Sequence, residues 1–314
     1  MTAFVIRRLI ALIPVALVVG TTVFGLVHLI PGDPVSVMLG PGAASAEIDE
    51  LRDQLRLNDP LPAQYAAWLV RTARGDLGDS IVQGRPVLTV IGERLEPTIV
   101  LAVAATLVGV LLGVPFGITA ASRAGSLVDR VLMLVAVAGI SIPYFWLGLM
   151  GILVFAVELR WLPATGYLSP FTEGWSAVRY LVLPVLALGF SQAGFVARLS
   201  RATTLQVLQE NYIRTARAKG MRPRRVLLRH ALRNVMIPVV TVVGLSFGVL
   251  LGGAIVTETV FGIPGMGRLI LQAIQQRDYP IIQGALLLVA MFNVLVNLVV
   301  DLVYVLIDPR ISYS

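Results

Sequence analysis

Six long apolar segments constrain the fold of this chain more than any other feature of its sequence. A helix needs roughly 20 apolar residues to cross a bilayer core about 30 Å thick. Only 14% of the residues are charged, whereas a soluble domain carries about 25%. The sequence therefore predicts an all-α membrane protein with six transmembrane helices. The segments that meet or approach the required length are residues 9–30, 98–121, 131–157, 181–197, 235–256 and 281–307.

Basic residues are distributed unevenly between the loops that connect these segments. If the N-terminus is inside, the cytoplasmic parts hold fifteen arginine and lysine residues. The short outer loops then hold four, which are Arg160, Arg179, Arg268 and Arg277. Because short cytoplasmic loops carry the excess of basic residues in membrane proteins, we expect both termini in the cytoplasm.

The first apolar segment follows Arg7 and Arg8, as the apolar part of a secretory signal peptide would. Its apolar part is too long for a signal peptide, and no A-x-A-like cleavage site follows it. We therefore expect this segment to remain as a membrane anchor.

The predicted spans divide the chain into an N-terminal transmembrane helix, an extracytoplasmic subdomain, a five-helix core and a cytoplasmic tail. These parts are residues 1–30, 31–97, 98–307 and 308–314, with a basic cytoplasmic loop over about 200–234. Within the subdomain, apolar spacing predicts one helix that follows an N-cap at Ser45 and another over about 63–74. We expect a packed lid over the outer ends of the spans rather than a ligand site.

Residue counts exclude several kinds of chemistry. The chain has no cysteine, so it forms neither disulfides nor Fe-S clusters, and its two histidines, His28 and His230, argue against a histidine-based metal site. A P-loop requires Ser or Thr after its lysine, whereas the only lysine, Lys219, is followed by Gly220. We therefore assign no catalytic residue, no metal ligand and no cofactor to this chain.

A G-x-S-x-G pattern runs from Gly244 to Gly248 inside the fifth apolar segment. Serine hydrolases place this motif between a strand and a helix, and no strand signal is present here. Gly244, Gly248 and Gly252 recur every fourth residue, which predicts a helix face that a neighbouring helix approaches closely. The alternative is an intramembrane serine protease that uses Ser246 with His28 or His230.

A stretch rich in glycine and proline follows Glu258 at the outer end of the fifth segment. Irregular backbone at membrane depth is tolerated only where protein or water covers it. The sequence therefore predicts a pathway mouth that includes Glu258, Gly262 and Pro264.

Residues 210–234 contain eight of the 25 basic residues of the chain. Topology and contact with anionic lipid headgroups account for this charge. The pattern predicts a helix over 212–219, a left-handed residue at Gly220 and a second helix that begins near Pro223. Such a short helix with small residues fits a docking element for another protein. The alternative is a helix-turn-helix that binds DNA at the membrane surface.

The segment RTARAKGMRPRRVLLRHALRNVMIP closely resembles the cytoplasmic loop of binding-protein-dependent ABC importer permeases, in particular the dipeptide and oligopeptide permease family. The resemblance covers nearly the whole chain. Its other motifs, in order, are FVIRRLIALIP, HLIPGDP, RGDLGDSIVQGRPV, SIPYFWLG, ETVFGIPGMGRL and DLVYVLIDPRI.

The resemblance implies the type I ABC importer permease fold and a cytoplasmic coupling helix that sits in a groove of an ATPase subunit. The coupling residues that it implies are Arg214, Thr215, Ala216, Arg217, Ala218, Lys219 and Gly220. The chain departs from the broad importer signature E-A-A-x-x-x-G, because Arg214 stands where the glutamate is expected. This departure leaves open the contact that the acidic residue makes.

The same resemblance implies the partners and the substrate. The partners are a homologous second permease subunit, two ATPase subunits that bind ATP and Mg²⁺, an extracytoplasmic substrate-binding protein and membrane lipid. The implied substrate is a dipeptide or oligopeptide, and no nucleic acid is involved. Permeases for nickel chelates or glutathione share this scaffold and are the alternatives.

Overall fold

The computed structural model describes residues 13–25, 35, 39, 44–54, 58–252 and 255–307. These residues are almost entirely helical, and their only strand-like feature is an isolated antiparallel bridge between Asp79 and Pro86. The predicted all-α class is confirmed. The helices are α1 (Ile13–Gly25), α2 (Ser45–Gln54), α3 (Leu61–Ala73), α4 (Val87–Ser122), α5 (Leu127–Ser141), α6 (Tyr144–Gly151, continued by a π-helix over Ile152–Glu158), α7 (Pro170–Glu173), α8 (Trp175–Leu208), α9 (Asn211–Ala218), α10 (Pro223–Arg225, continued by a π-helix over Val226–Ala231), α11 (Leu232–Leu251), α12 (Ile255–Val260), α13 (Met266–Gln276) and α14 (Tyr279–Ile307).

Four of these helices, α4, α8, α11 and α14, are long and apolar enough to cross a membrane. Within the described residues, α1 covers the middle of the predicted first span, and the two ends of that span lie outside the described residues. The count of six spans therefore stays a prediction.

The predicted third span, residues 131–157, is not one continuous helix. Helices α5 and α6 meet at a bend of 95°. Pro143 lacks the N–H that an α-helix requires, and Ile142 before it is extended, with ψ 124°. The apolar composition of this segment concealed the bend, because the residues on both sides of Pro143 are equally apolar.

Helix α4 begins at Val87, ahead of the predicted second span, and Pro97 lies inside it. The predicted start of the second span, just after Pro97, is the point where the charged residues end, whereas the helix itself already begins at Val87. Helix α2 includes Ser45 as its first residue, and Ala44 accepts the first helical hydrogen bonds, so Ser45 is not the N-cap.

The chain forms two compact units. The first comprises Met1–Glu96 and Pro264–Val294, and the second comprises Pro97–Ile263 and Leu295–Ser314. The core of the first unit joins the start of α4 to α13 and the start of α14 through residues such as Ile91, Met266 and Ile281. A β-carbon on Gly284 would lie 2.6 Å from Val87 Cγ1, so α14 and α4 pack closely at this point.

Helix α3 of the first unit packs against α1. Trp68 is buried and lies 3.3 Å from the position of a β-carbon on Gly20, and the rings of Phe24 and Tyr65 lie nearby. The hydroxyl groups of Thr21 and Tyr65 share a hydrogen bond of 2.7 Å. The side of α3 that carries Tyr65 and Trp68 is therefore the side that packs against α1.

The RGDLGDSIVQGRPV motif forms a hairpin in the first unit, between α3 and α4. Asp278, 2% exposed, accepts hydrogen bonds from the Ser80 hydroxyl and from the N–H groups of Ile81 (3.2 Å) and Val82 (3.3 Å). The same carboxylate accepts the N–H of Ile281 in the first turn of α14, at 3.4 Å. One buried side chain thus ties the hairpin to the start of α14.

In the second unit, α8 is the central helix and contacts α5, α6 and α11. Helix α4 approaches it along three glycines, Gly109, Gly113 and Gly117, spaced four residues apart. A β-carbon on Gly113 would lie 2.7 Å from Val196 Cβ, and one on Gly117 would overlap the carbonyl oxygen of Ala197. Backbones come this close only where side chains are absent, so this glycine stripe sets the spacing of α4 and α8.

Candidate functional site

The basic loop contains the eight-residue helix α9, which ends in a Schellman motif. The N–H of Gly220 donates to the carbonyl of Arg217 (2.9 Å), and the N–H of Met221 donates to that of Ala216 (3.3 Å). Gly220 has φ +77°, the left-handed conformation that a residue with a side chain adopts at a cost. Pro223 then begins α10. The predicted helix, turn and second helix are confirmed.

The inner side of α9 is packed against its own chain. Ile213 is fully buried and Ala216 is 8% exposed. The residues that surround them come from the end of α8, from the π-helical turn after α10 and from α11, and include Val207, Val226 and Val235. Ala216, predicted as part of the docking surface, therefore faces inward, because its small side chain fits the core beneath the helix.

The outer side of α9 carries the remaining predicted coupling residues. These are all exposed, and they are Arg214, Thr215, Arg217, Ala218, Lys219 and Gly220. Among the residues that the structure describes, none of the three cations forms an ion pair. The loop thus presents an exposed cationic surface on a helix whose other side is anchored in the core.

A hydrogen bond joins the two arms of the loop. Asn234 Nδ2 on α11 donates to the Tyr212 hydroxyl on α9 at 2.6 Å. Together with the buried Ile213, this bond fixes the orientation of α9 relative to α11. The bond therefore connects α9 to the helix that follows the loop as well as to the helix before it.

An ion pair holds the end of α8 from which α9 continues. Arg201 donates from Nε to Asp129 Oδ1 (2.6 Å) and from Nη2 to Oδ2 (2.8 Å). Asp129 is 4% exposed and also accepts the N–H of Gly125 at 2.9 Å, while the Ser126 hydroxyl caps α5. This bidentate pair links the start of α5 to α8 ten residues before α9.

The glycines predicted for helix packing lie in or next to α11. A β-carbon on Gly244 would overlap Val300 Cγ2 on α14, and Gly248 is also buried. Gly252 is the C-cap, with its N–H bonded to the Gly248 carbonyl. The geometry at Gly244 agrees with a packing role, and the role of the other two stays a prediction.

The hydrolase-like pattern has no hydrolase geometry around it. Ser246 lies within the α-helix α11 rather than on a turn between a strand and a helix. His230 lies on the π-helical turn before α11, roughly 24 Å from Ser246 along the helix axis at 1.5 Å per residue. His28, the other candidate base, lies outside the described residues.

The residues of the predicted pathway mouth have different environments. Glu258 is fully buried, and Thr98 Oγ1 donates a hydrogen bond of 2.7 Å to its Oε1. Its side chain is therefore enclosed by its own chain and does not line an open surface. Gly262 (φ +64°) and Pro264 are partly exposed, so a pathway role for these two stays a prediction.

Two sequence profiles cover almost the whole chain. Residues 113–313 match the binding-protein-dependent transport system inner membrane component family, and residues 1–102 match the N-terminal region of the membrane components of such systems. The chain belongs to this family. It is thus a multi-pass inner-membrane permease component of a binding-protein-dependent transport system.

Full-length relatives of this permease have names that refer to peptides and to glutathione. A probable peptide ABC transporter permease of Sinorhizobium fredii is 45% identical, with 100% of both chains covered. A dipeptide transport system permease of Alkalihalophilus pseudofirmus is 43% identical, and a glutathione transport system permease of Escherichia coli is 45% identical, again with full coverage.

A solved structure supports the fold of this permease. A chain of the inward-facing MetNI methionine ABC transporter matches with a TM-score of 0.56 and 18% identity, over 70% of this chain and 97% of the other. The type I importer permease fold implied by the sequence is confirmed.

Sequence reasoning missed three features that organise this permease. The stripe at Gly109, Gly113 and Gly117 carries the same four-residue spacing as the glycines in α11, so a search of the second span for that spacing would have found it. The Ser80–Asp278 and Asp129–Arg201 contacts join residues far apart in the chain, and no local pattern pairs them.

Proposed function

We propose that this permease imports dipeptides or oligopeptides into the cytoplasm, driven by ATP that separate subunits hydrolyse. Two ATPase subunits would bind ATP and Mg²⁺, a homologous second permease would complete the pathway, and an extracytoplasmic binding protein would deliver the peptide. This chain would supply half of the pathway and no catalytic site of its own.

The observation that carries the proposal is the full-length similarity to the peptide and dipeptide permeases, combined with the exposed cationic side of α9. A helix of eight residues whose inner side is buried and whose outer side has no acidic partner in the described part of the chain suits a partner surface that is acidic at its edge. We assign that partner surface to the ATPase subunit.

Coupling would proceed through rigid connections. ATP binding would draw the ATPase subunits together and move α9 with them. Since Ile213 is buried and Tyr212 is bonded to Asn234, a shift of α9 would move the ends of both α8 and α11. The pathway would then switch between outward and inward access, as a two-state element that ATP biases.

We also propose that both termini face the cytoplasm. Fifteen basic residues would then lie in cytoplasmic parts of the chain and four in the short outer loops. Cysteine introduced at Thr2 and near Tyr313 would be labelled by an impermeant thiol reagent only after the membrane is opened. Labelling of intact cells at either position would contradict this orientation.

The transport activity is tested by reconstitution. We expect the complex of this permease with its partner subunits, placed in liposomes with binding protein outside, to take up labelled dipeptide only when ATP is enclosed. The control is the same complex with ATPase subunits that bind but do not hydrolyse ATP. Uptake that does not depend on ATP, or a permease that never associates with an ATPase, would overturn the proposal.

Glutathione is the second candidate substrate, because a relative that is 45% identical over its full length is named as a glutathione permease. Competition distinguishes the two candidates. Excess unlabelled dipeptide should suppress uptake of labelled dipeptide, whereas glutathione should not. Suppression by glutathione alone would favour the second candidate.

A further inference from the structure

A cleft at the end of α8 opposite the coupling loop has the composition of an anion-binding site. It has a volume of about 510 Å³ and lies between the end of α6, the following loop and the start of α8. The charged residues that line it are Arg160 and Arg179, and the hydroxyl groups come from Ser176 and Tyr180. The rest of the lining consists of small or apolar side chains such as Leu162 and Leu168.

The two guanidinium groups have no acidic partner among the described residues. Arg179 Nη2 donates to the carbonyl of Trp161 at 3.2 Å, which orients the side chain and leaves its other donors available. Arg160 has φ +56°, a left-handed conformation that costs energy for a residue with a side chain. The acidic residues on the same segment, Glu158 and Glu173, do not line the cleft and form no ion pair with either arginine.

The depth of the cleft follows from the length of α8. Helix α8 has 34 residues and therefore spans about 50 Å at 1.5 Å per residue. A bilayer measures about 40 to 45 Å with its headgroups. With the orientation proposed above, α9 lies at the cytoplasmic end of this helix, and its length then puts the cleft beside Trp175 near the headgroups of the opposite leaflet.

Three exposed aromatic residues lie within a few residues of the cleft-lining residues in the sequence. Trp161, Phe171 and Trp175 are 62%, 81% and 88% exposed. Tryptophan is enriched at both interfaces of a bilayer, where its apolar ring and polar N–H suit the headgroup region. Exposed tryptophans next to Arg160 and Ser176 in the sequence therefore fit a surface in contact with lipid headgroups.

We propose that this cleft binds the headgroup of an anionic phospholipid, with the lipid phosphate held between Arg160 and Arg179. Guanidinium donors match the geometry of phosphate oxygens, and the Tyr180 hydroxyl adds a further donor. The apolar lining residues accommodate the glycerol backbone and the first carbons of the acyl chains. The site is independent of the transported substrate and anchors the loop between α6 and α8 at the membrane surface.

Native mass spectrometry of the purified complex tests the site. The complex is titrated with phosphatidylglycerol and, separately, with phosphatidylcholine. We expect R160A/R179A to retain phosphatidylglycerol at least fivefold less than the wild type, and R160K/R179K, which keeps the charge, to recover part of the binding. R71A/R74A removes two exposed arginines of α3 and should leave retention unchanged.

Several outcomes would overturn the proposal. Equal retention by the wild type and R160A/R179A, or equal binding of both lipids by the wild type, would show that the two arginines do not recognise an anionic headgroup. Displacement of the lipid by millimolar inorganic phosphate would indicate a site for a free anion. Loss of the second permease subunit from R160A/R179A would make the cleft a subunit interface, and loss of peptide uptake with normal lipid retention would make it a substrate contact.

Discussion

The turn after α9, which we propose as the coupling turn, and the hairpin before α4 are both short and charged, yet their polar groups have different partners. In the hairpin, the buried Asp278 accepts the Ser80 hydroxyl and neighbouring N–H groups. In the coupling turn, Arg217 and Lys219 are exposed, with no ion pair in the part of the chain that the structure describes. Polar groups that are satisfied internally stabilise the fold, whereas the exposed cations are solvated and remain available to a partner.

The comparison predicts the largest loss of stability at Asp278. Asp278→Ala leaves the buried Ser80 hydroxyl and the N–H groups of Ile81, Val82 and Ile281 without this acceptor. An unsatisfied buried group costs about 1 to 3 kcal/mol, whereas the part-buried N–H groups of Ile81 and Val82 regain hydrogen bonds from water. We expect the chain to lose about 3 kcal/mol, seen as a lower thermal unfolding midpoint in detergent. Asp76→Ala removes an exposed carboxylate that accepts the Gly78 N–H in the same hairpin, and should cost under about 1 kcal/mol. Equal effects of the two changes would break the distinction.

A somewhat smaller loss is expected at Arg201. Arg201→Met leaves the 4% exposed carboxylate of Asp129 without its bidentate partner. Because Arg201 itself is partly exposed, we expect a loss of about 2 kcal/mol rather than the 3 to 5 kcal/mol of a fully buried pair. Arg198→Met removes an exposed arginine one turn earlier on α8 and is the matched control, with a change under about 0.5 kcal/mol. The double variant Asp129→Asn/Arg201→Met measures the coupling, and additive effects would contradict a direct interaction.

Substitutions at Gly220 distinguish backbone strain within this chain from loss of contact with the ATPase subunit. A β-carbon there meets nothing within 4 Å, so Gly220→Leu disturbs the isolated chain only through its left-handed backbone, at about 1 to 2 kcal/mol. We expect normal membrane insertion, weakened association with the ATPase subunits and lost peptide uptake. Gly220→Asn, which tolerates this backbone better, should retain more of both activities. Unchanged peptide uptake and unchanged ATPase association in Gly220→Leu would contradict the proposal that this turn contacts the ATPase subunit.

We expect the smallest effect on stability when the exposed cations of α9 are replaced. Arg217→Glu combined with Lys219→Glu should change the stability of the chain by less than about 0.5 kcal/mol, because neither side chain has an internal partner among the described residues. Co-purification of the ATPase subunits should nevertheless fall at least fivefold. Arg74→Glu, an exposed arginine at the end of α3, serves as the control. A large loss of stability without loss of association would reverse the interpretation of this surface.

The sequence predicted those parts of the fold that local patterns determine. Apolar runs located the long helices, and the sequence from Asn211 to Pro223 gave the helix, the left-handed Gly220 and the restart at Pro223, because each depends on neighbouring residues only. The bend at Pro143 was missed although its signal was present, since proline after an extended residue ends a helix in apolar sequence as it does elsewhere.

The orientation of individual side chains was beyond reach of the sequence. Ala216 was expected on the docking surface and Glu258 at an open mouth, yet the chain buries both. Small residues suit a partner surface and a protein core equally well, so size alone does not distinguish them. A buried carboxylate depends on a donor such as Thr98, which lies on a different helix and has no sequence signal that pairs it with Glu258.

The glycine stripe on α4 also determines where α8 is able to bend. From Gly189 to Arg201, α8 packs closely against α4 on one side and against α5 on another, and the Arg201–Asp129 ion pair lies at the end of this stretch. Pro184 lies beyond that closely packed stretch, and proline is the commonest cause of a kink because it interrupts the hydrogen-bond ladder of a helix. A bend of α8 at Pro184 would therefore leave the closely packed stretch, and its continuation into α9, unchanged.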